Sequence, residues 1–142
     1  MHEMRRDGRA GQDADTGDAM SVLSDPPMEI AERLGLVAVL PGPDELLLDI
    51  DDAEGLSRME AALACLAING EEVVEVKRTV SAGGNTHVYL RLPRWGELDP
   101  VRRIALQACC GSDPIRELLS LLRVVRNYNV PPTVLFERPT GA

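Results

Sequence analysis

From residue 44 to 138 the rhythm of apolar and polar positions changes several times, and each change marks an element. Leu46, Leu48 and Ile50 alternate with Leu47, Asp49 and Asp51, a period of two that predicts a strand over 46–51. Leu56, Met59, Leu63 and Leu66 then recur every three or four positions, predicting a helix over 53–69 stopped by Gly70. Alternation returns over 72–80 and 86–92, and Ser81-Ala82-Gly83-Gly84 between them reads as a hairpin turn. Helical spacing over 100–110 and 114–126 is broken at Gly111, and a last strand over 133–137 follows Pro131-Pro132. Upstream, 28–34 suits a short amphipathic helix. Residues 37–40 suit a short strand or an extended lead-in, ended by Pro41-Gly42-Pro43. Residues 1–27, rich in Asp, Gly and Arg, lack apolar periodicity and are expected to form a disordered leader to one domain over 28–142.

The core order is βαββαβ. It predicts an α+β fold of ferredoxin-like or RRM-like type, with one four-stranded antiparallel sheet and helices on one face. The usual strand order is 4-1-3-2. Period-two parity then sorts the side chains. Leu46, Leu48, Ile50, Val88, Leu90 and Leu92 face the helices. Asp49, Asp51, Glu75, Lys77, His87, Tyr89, Arg91 and Glu137 face the open side. In that order His87 sits beside Asp49 and Asp51, with Glu137 diagonal to Asp49. Carboxylates spaced i, i+2 on an open strand face suit a hard divalent cation, Mg²⁺ or Mn²⁺, and such ions serve phosphoryl transfer.

Composition narrows the partners. The 142 residues carry a net charge of −8, which argues against coating nucleic acid by charge alone. Residues 91–126 are locally basic, with seven arginines against four acids. Arg91, Arg94, Arg102 and Arg103 are candidates for contacts to phosphates or nucleic acid. Aromatics are only 3%, so the core must rest on aliphatic side chains. Cys65, Cys109 and Cys110 form neither a disulfide framework nor a zinc motif. They suit a reducing, cytoplasmic setting, with Cys65 and one of the adjacent pair filling small core volumes. No stretch is long and apolar enough to span a membrane. His2 lies in the leader, so His87 is the one histidine of the expected domain, and no Ser-His-Asp or Cys-His arrangement is present. Asp52, Asp99 and Asp113 read as helix caps, the last two followed by Pro at the first helical position. Trp95 suits either a domain anchor or a base-stacking platform.

Leu47-Leu48-Asp49-Ile50-Asp51 resembles the first motif of the archaeo-eukaryotic primase superfamily, an apolar strand ending in Asp-x-Asp. Asn85-Thr86-His87 is similar to its second motif, and Phe136-Glu137 to its third, with Asp113 a competing third acid. The resemblance spans residues 44–138. It implies a palm-like module of RRM-like fold in which Asp49, Asp51 and Glu137 bind divalent metal and His87 contacts the phosphates of an incoming nucleoside triphosphate. It further implies nucleotidyltransferase activity on nucleic acid, in a setting such as phage or mobile-element DNA replication. A single module of this size is expected to act as a homo-oligomer or with a partner protein. The alternatives are a non-catalytic ferredoxin-like interaction module and a Mg²⁺-dependent nuclease.

Overall fold

The computed structural model describes residues 23–140. It contains α1 (Pro27–Leu34), β1 (Val37–Val39), β2 (Glu45–Ile50), α2 (Ala53–Ile68), β3 (Val74–Val80), β4 (Thr86–Arg91), α3 (Pro100–Cys109), α4 (Pro114–Val125) and β5 (Leu135–Glu137). Local chemistry sets these bounds. Asp52, Asp99 and Asp113 each accept a backbone N–H of the helix they precede, from Gly55, Arg102 and Ile115. Of the expected leader, residues 1–22 lie outside the described residues, while Leu23 and Pro27 are buried.

The strands form two sheets, not the single four-stranded sheet that the pattern predicts. β2, β4 and β3 make an antiparallel sheet in that order, and β5 pairs with β1 instead of β2. The reason lies on the outer edge of β2, which α3 and α4 saturate. Glu45 N–H donates to Gly42 O at 3.2 Å, and Glu45 O accepts from Arg103 Nε at 2.8 Å. Leu47 N–H donates to Gln107 Oε1 at 2.9 Å, and Leu47 O accepts from Arg116 Nη1 at 2.6 Å. Asp49 N–H donates to Ser112 Oγ at 3.0 Å, and Asp49 O accepts from Asp113 N–H at 2.7 Å. Nothing remains for a fourth strand to pair with. Arg116 also donates from Nη2 to Val134 O at 3.0 Å, so one guanidinium spans the gap between β2 and the lead-in to β5.

The strand parity expected for β2 and β4 is observed. Leu46, Leu48, Ile50, Val88 and Leu90 pack with Met59, Leu92, Leu98 and Cys110 against α2. Each fully buried aliphatic side chain contributes about 1.5–3 kcal/mol. The opposite face is not open, however. Leu47 and Tyr89 are buried there under Leu135 of β5, with Val39 of β1 packed alongside. Parity also fails on β3. A bulge between Glu75 and Lys77 sets Glu75 opposite Leu90 and Lys77 opposite Tyr89, so the two no longer share a face. Cys110 fills core volume, whereas Cys65 and Cys109 are exposed, because Cys65 lies off the α2 stripe. Trp95 packs against the core and donates from Nε1 to Glu71 Oε1 at 2.8 Å, the anchoring role of its two readings. No helix of the described residues is long and apolar enough to cross a membrane.

The α3–α4 turn reaches β2 through a backbone contact with α2. Gly111 has φ +91°, and a Cβ there would meet Gly55 O at 2.2 Å. Gly111→Ala is therefore expected to lower stability by about 2–4 kcal/mol, combining left-handed strain with a backbone clash. Urea unfolding monitored by far-UV circular dichroism measures it. A loss under 1 kcal/mol would mean that the turn does not need this approach.

Candidate functional site

Asp49 and His87 are directly opposed in the β2–β4 ladder, so their side chains share a face. His87 Nε2 lies 3.5 Å from Asp49 Oδ1. Its Nδ1 lies 3.0 Å from Glu137 Oε2, within ion-pairing range but off the line that a ring N–H needs for a hydrogen bond. The imidazole is thus clamped between a carboxylate of the larger sheet and one of the ribbon, and it is only 3% exposed. Glu137 is held from its own side. Thr79 Oγ1 donates to both of its oxygens at 2.9 and 2.8 Å, and Tyr89 Oη donates to Oε2.

A second link runs toward Asp51. Ser81 Oγ accepts from Asn85 N–H at 3.0 Å, which fixes the end of the hairpin turn. From there Asn85 Nδ2 donates to Asp49 Oδ1 and to Asp51 Oδ1, both at 3.2 Å. One amide therefore stands between the two carboxylates. The result is a chain Glu137–His87–Asp49–Asn85–Asp51. Asp49, Asp51 and His87 converge as the pattern predicts. Glu137 arrives by a different route, from β5 paired to β1, and the imidazole separates it from Asp49. A three-carboxylate cluster does not form. Asp113, the competing acid, caps α4.

The electrostatics follow from this geometry. Burial disfavours charge on His87, but Asp49 and Glu137 on its two sides outweigh that, and its pKa lies above the ordinary 6.5. Burial raises Asp49, yet His87, Asn85 and Arg116 bring it below its usual range. Glu137 is also lowered: burial opposes its charge, and Tyr89, Thr79 and His87 prevail. Asp51 is raised by burial and then by the negative charges of Asp113, Asp49 and Asp52.

A cavity of about 270 Å³ opens beside this chain. Asp49, Ser81, His87, Arg116, Ser120 and Arg123 supply its polar lining. Arg116 and Arg123 are the arginines of this lining, and the Arg116 charge acts on Asp49. The arginines singled out in the sequence are elsewhere. Arg91 pairs with Asp44 at the far end of β4, and Arg102 pairs with Asp99. Arg94 is exposed in the loop after β4. Arg103 is buried, donating to the carbonyls of Glu45, Gly42 and Pro43. The available signal for Arg116 and Arg123 was their i, i+7 spacing with Ser120 between, which puts all three on one side of α4.

Among the described residues, no group of three or more His, Cys, Asp and Glu side chains is arranged to hold a metal ion. Asp49 and Asp51 each turn one hard carboxylate oxygen toward the Asn85 amide nitrogen, which stands between them. Neither a protein-family model, nor a curated protein sequence, nor a solved structure matches the chain.

The clamp gives stability a defined pH dependence. His87 has a raised folded pKa, so its contribution is complete below 6.5, its ordinary value, and is lost as pH rises through the folded value. Asp49 and Glu137 are lowered. Their contributions are complete above their ordinary 3.8 and 4.5, and are lost as pH falls through the folded values. Wild type is expected to melt at lower temperature at alkaline pH than in the mildly acidic range. His87→Gln should lose most of that alkaline slope. An unchanged slope in the variant would remove His87 from the account.

Proposed function

We propose that the chain is a primase-polymerase-like nucleotidyltransferase module that works on a nucleoside triphosphate and nucleic acid with Mg²⁺ or Mn²⁺. The observation that carries this reading is the pairing of Asp49 and Asp51 through one amide, with His87 fixing Asp49 at the mouth of a cation-lined cavity. Asp49 and Asp51 would hold the metal, Asn85 turning its amide oxygen inward or giving way. A dication held there would supply charge neutralisation for phosphate oxygens and activation of an attacking oxygen. The negative neighbours that raise Asp51 favour cation uptake at that point. His87, pinned by Glu137, orients Asp49 and adds positive charge toward a phosphate in the cavity. Arg116 and Arg123 add to the same field, while their hydrogen bonds to backbone carbonyls keep them in place. Glu137 acts on His87 rather than as a metal ligand.

The alternative is a non-catalytic interaction module. It is favoured by one observation, the apolar residues that α4 turns to solvent, Ile115 and Leu118 among them. Thermal stability measured against Mn²⁺ and a nucleoside triphosphate separates the two readings. The nucleotidyltransferase reading expects stabilisation by the two together, by about 3 kcal/mol at a hundredfold excess over Kd, and its loss in Asp49→Ala/Asp51→Ala. No shift in wild type, or an equal shift in the double variant, would sink it.

A further inference from the structure

Among the described residues, no carboxylate balances the charge of Arg123. Arg123 lies part-buried in the last turn of α4. Its guanidinium donates from Nε to Leu23 O at 3.2 Å and from Nη1 to Pro132 O at 3.4 Å, both neutral carbonyls. Other arginines differ. Glu117 pairs with Arg116. Arg103 is also held by carbonyls, but Glu45, Glu97, Asp44 and Asp99 all act on its charge. On Arg123 only the charge of Arg116 acts, and it repels. Burial first, and that repulsion second, hold the Arg123 pKa below its ordinary range. A guanidinium so placed is costly unless something negative completes it.

The space for that completion is the cavity of about 270 Å³, which Arg123 lines together with Arg116 and the hairpin turn Ser81-Ala82-Gly83. The turn has hydrogen-bond donors left over. Gly84 N–H closes it on Ser81 O, and Ser81 Oγ accepts from Asn85 N–H. The Ser81 hydroxyl proton and the N–H groups of Ala82 and Gly83 have no acceptor among the described residues. Asp49 lines the same cavity, but it accepts from Asn85 and faces His87, and its charge is not among those acting on Arg123. Drug-sized ligands occupy sites of about 300–1,000 Å³, so this cavity suits a small group. Donors come from two separate elements, α4 and the turn. A tetrahedral oxyanion, whose oxygens point several ways, answers both, whereas a planar carboxylate suits one guanidinium edge.

We infer that this cavity is a site for a phosphoryl group, anchored by Arg123 and filled without a metal ion. It goes beyond the metal chemistry proposed above, which acts at Asp49 and Asp51 and which this site does not require. The group can come from free phosphate or from a nucleoside triphosphate, and separate titrations tell the two apart.

Titration calorimetry on the full chain in EDTA, with orthophosphate and a nucleoside triphosphate as separate probes, tests it. At least one probe is expected to bind with Kd of about 1 mM or tighter. Arg123→Gln should weaken that binding about tenfold or more, because it removes a charge-assisted contact. Arg123 also holds Leu23 and Pro132, so a second variant keeps the fold out of the question. Ala82 is exposed in the turn. Ala82→Asp should weaken binding and Ala82→Lys should strengthen it, with far-UV circular dichroism unchanged in both. Orthophosphate binding without triphosphate binding supports the site while counting against the nucleotidyltransferase reading. Triphosphate binding alone, sensitive to both positions, supports the site and makes the ester its source. No heat from either probe up to about 10 mM overturns the proposal. So does binding that Arg123→Gln and Ala82→Asp both leave unchanged.

Discussion

The outer edge of β2 is the constraint on which the rest of the architecture turns. A strand edge carries backbone groups that must find partners once water is excluded. Here six of them are met by a main-chain turn, four side chains and one capping backbone amide, all but the first from the α3–α4 hairpin and its turn. A strand in that position would have supplied the same bonds with less specificity. The hairpin instead delivers Gln107, Ser112 and Arg116, and each must stay in register with a single residue of β2. Glu117 completes the arrangement by accepting from Gln107 and pairing with Arg116 in the interior. Buried charge of this kind is tolerated only when every lone pair and proton has a partner.

Because the edge is occupied, the final strand is displaced onto the face of the sheet, where it meets β1. That displacement changes the chemistry of the candidate site. A carboxylate arriving in the plane of the sheet would have joined Asp49 and Asp51. One arriving from above meets the imidazole instead. His87 becomes the joint between sheet and ribbon, and its ionisation is coupled to the packing of Leu47, Tyr89 and Leu135 beside it.

The elements themselves were legible in the sequence, because each rests on local rules. Period-two alternation marked β2 and β4, three aspartates marked helix starts, and Leu56 and Met59 marked the inner stripe of α2. The contact of Asp49 with His87 was also legible, since it follows from the antiparallel register of two confidently patterned strands. The partner of β5 was not. Pattern records which faces are apolar, and Leu135 and Phe136 suit a sheet edge or a sheet face equally well. The decisive residues, Gln107, Ser112 and Arg116, look in sequence like ordinary polar positions on solvated helices. Their role depends on contacts 60 or more residues away. The bulge in β3 was equally hidden, because one unpaired residue leaves no signature in a run such as Val74-Glu75-Val76-Lys77.

The pairing of Val37 with Glu137 joins positions a hundred residues apart. In chain order, the three-stranded sheet and both α3 and α4 precede β5. Until β5 is made, β1 has no partner, and Leu47, Tyr89 and His87 face water. The ionic joint at His87 is therefore the last feature of the domain to assemble, and a nascent chain shortened by its final strand would carry an apolar face that chaperones recognise.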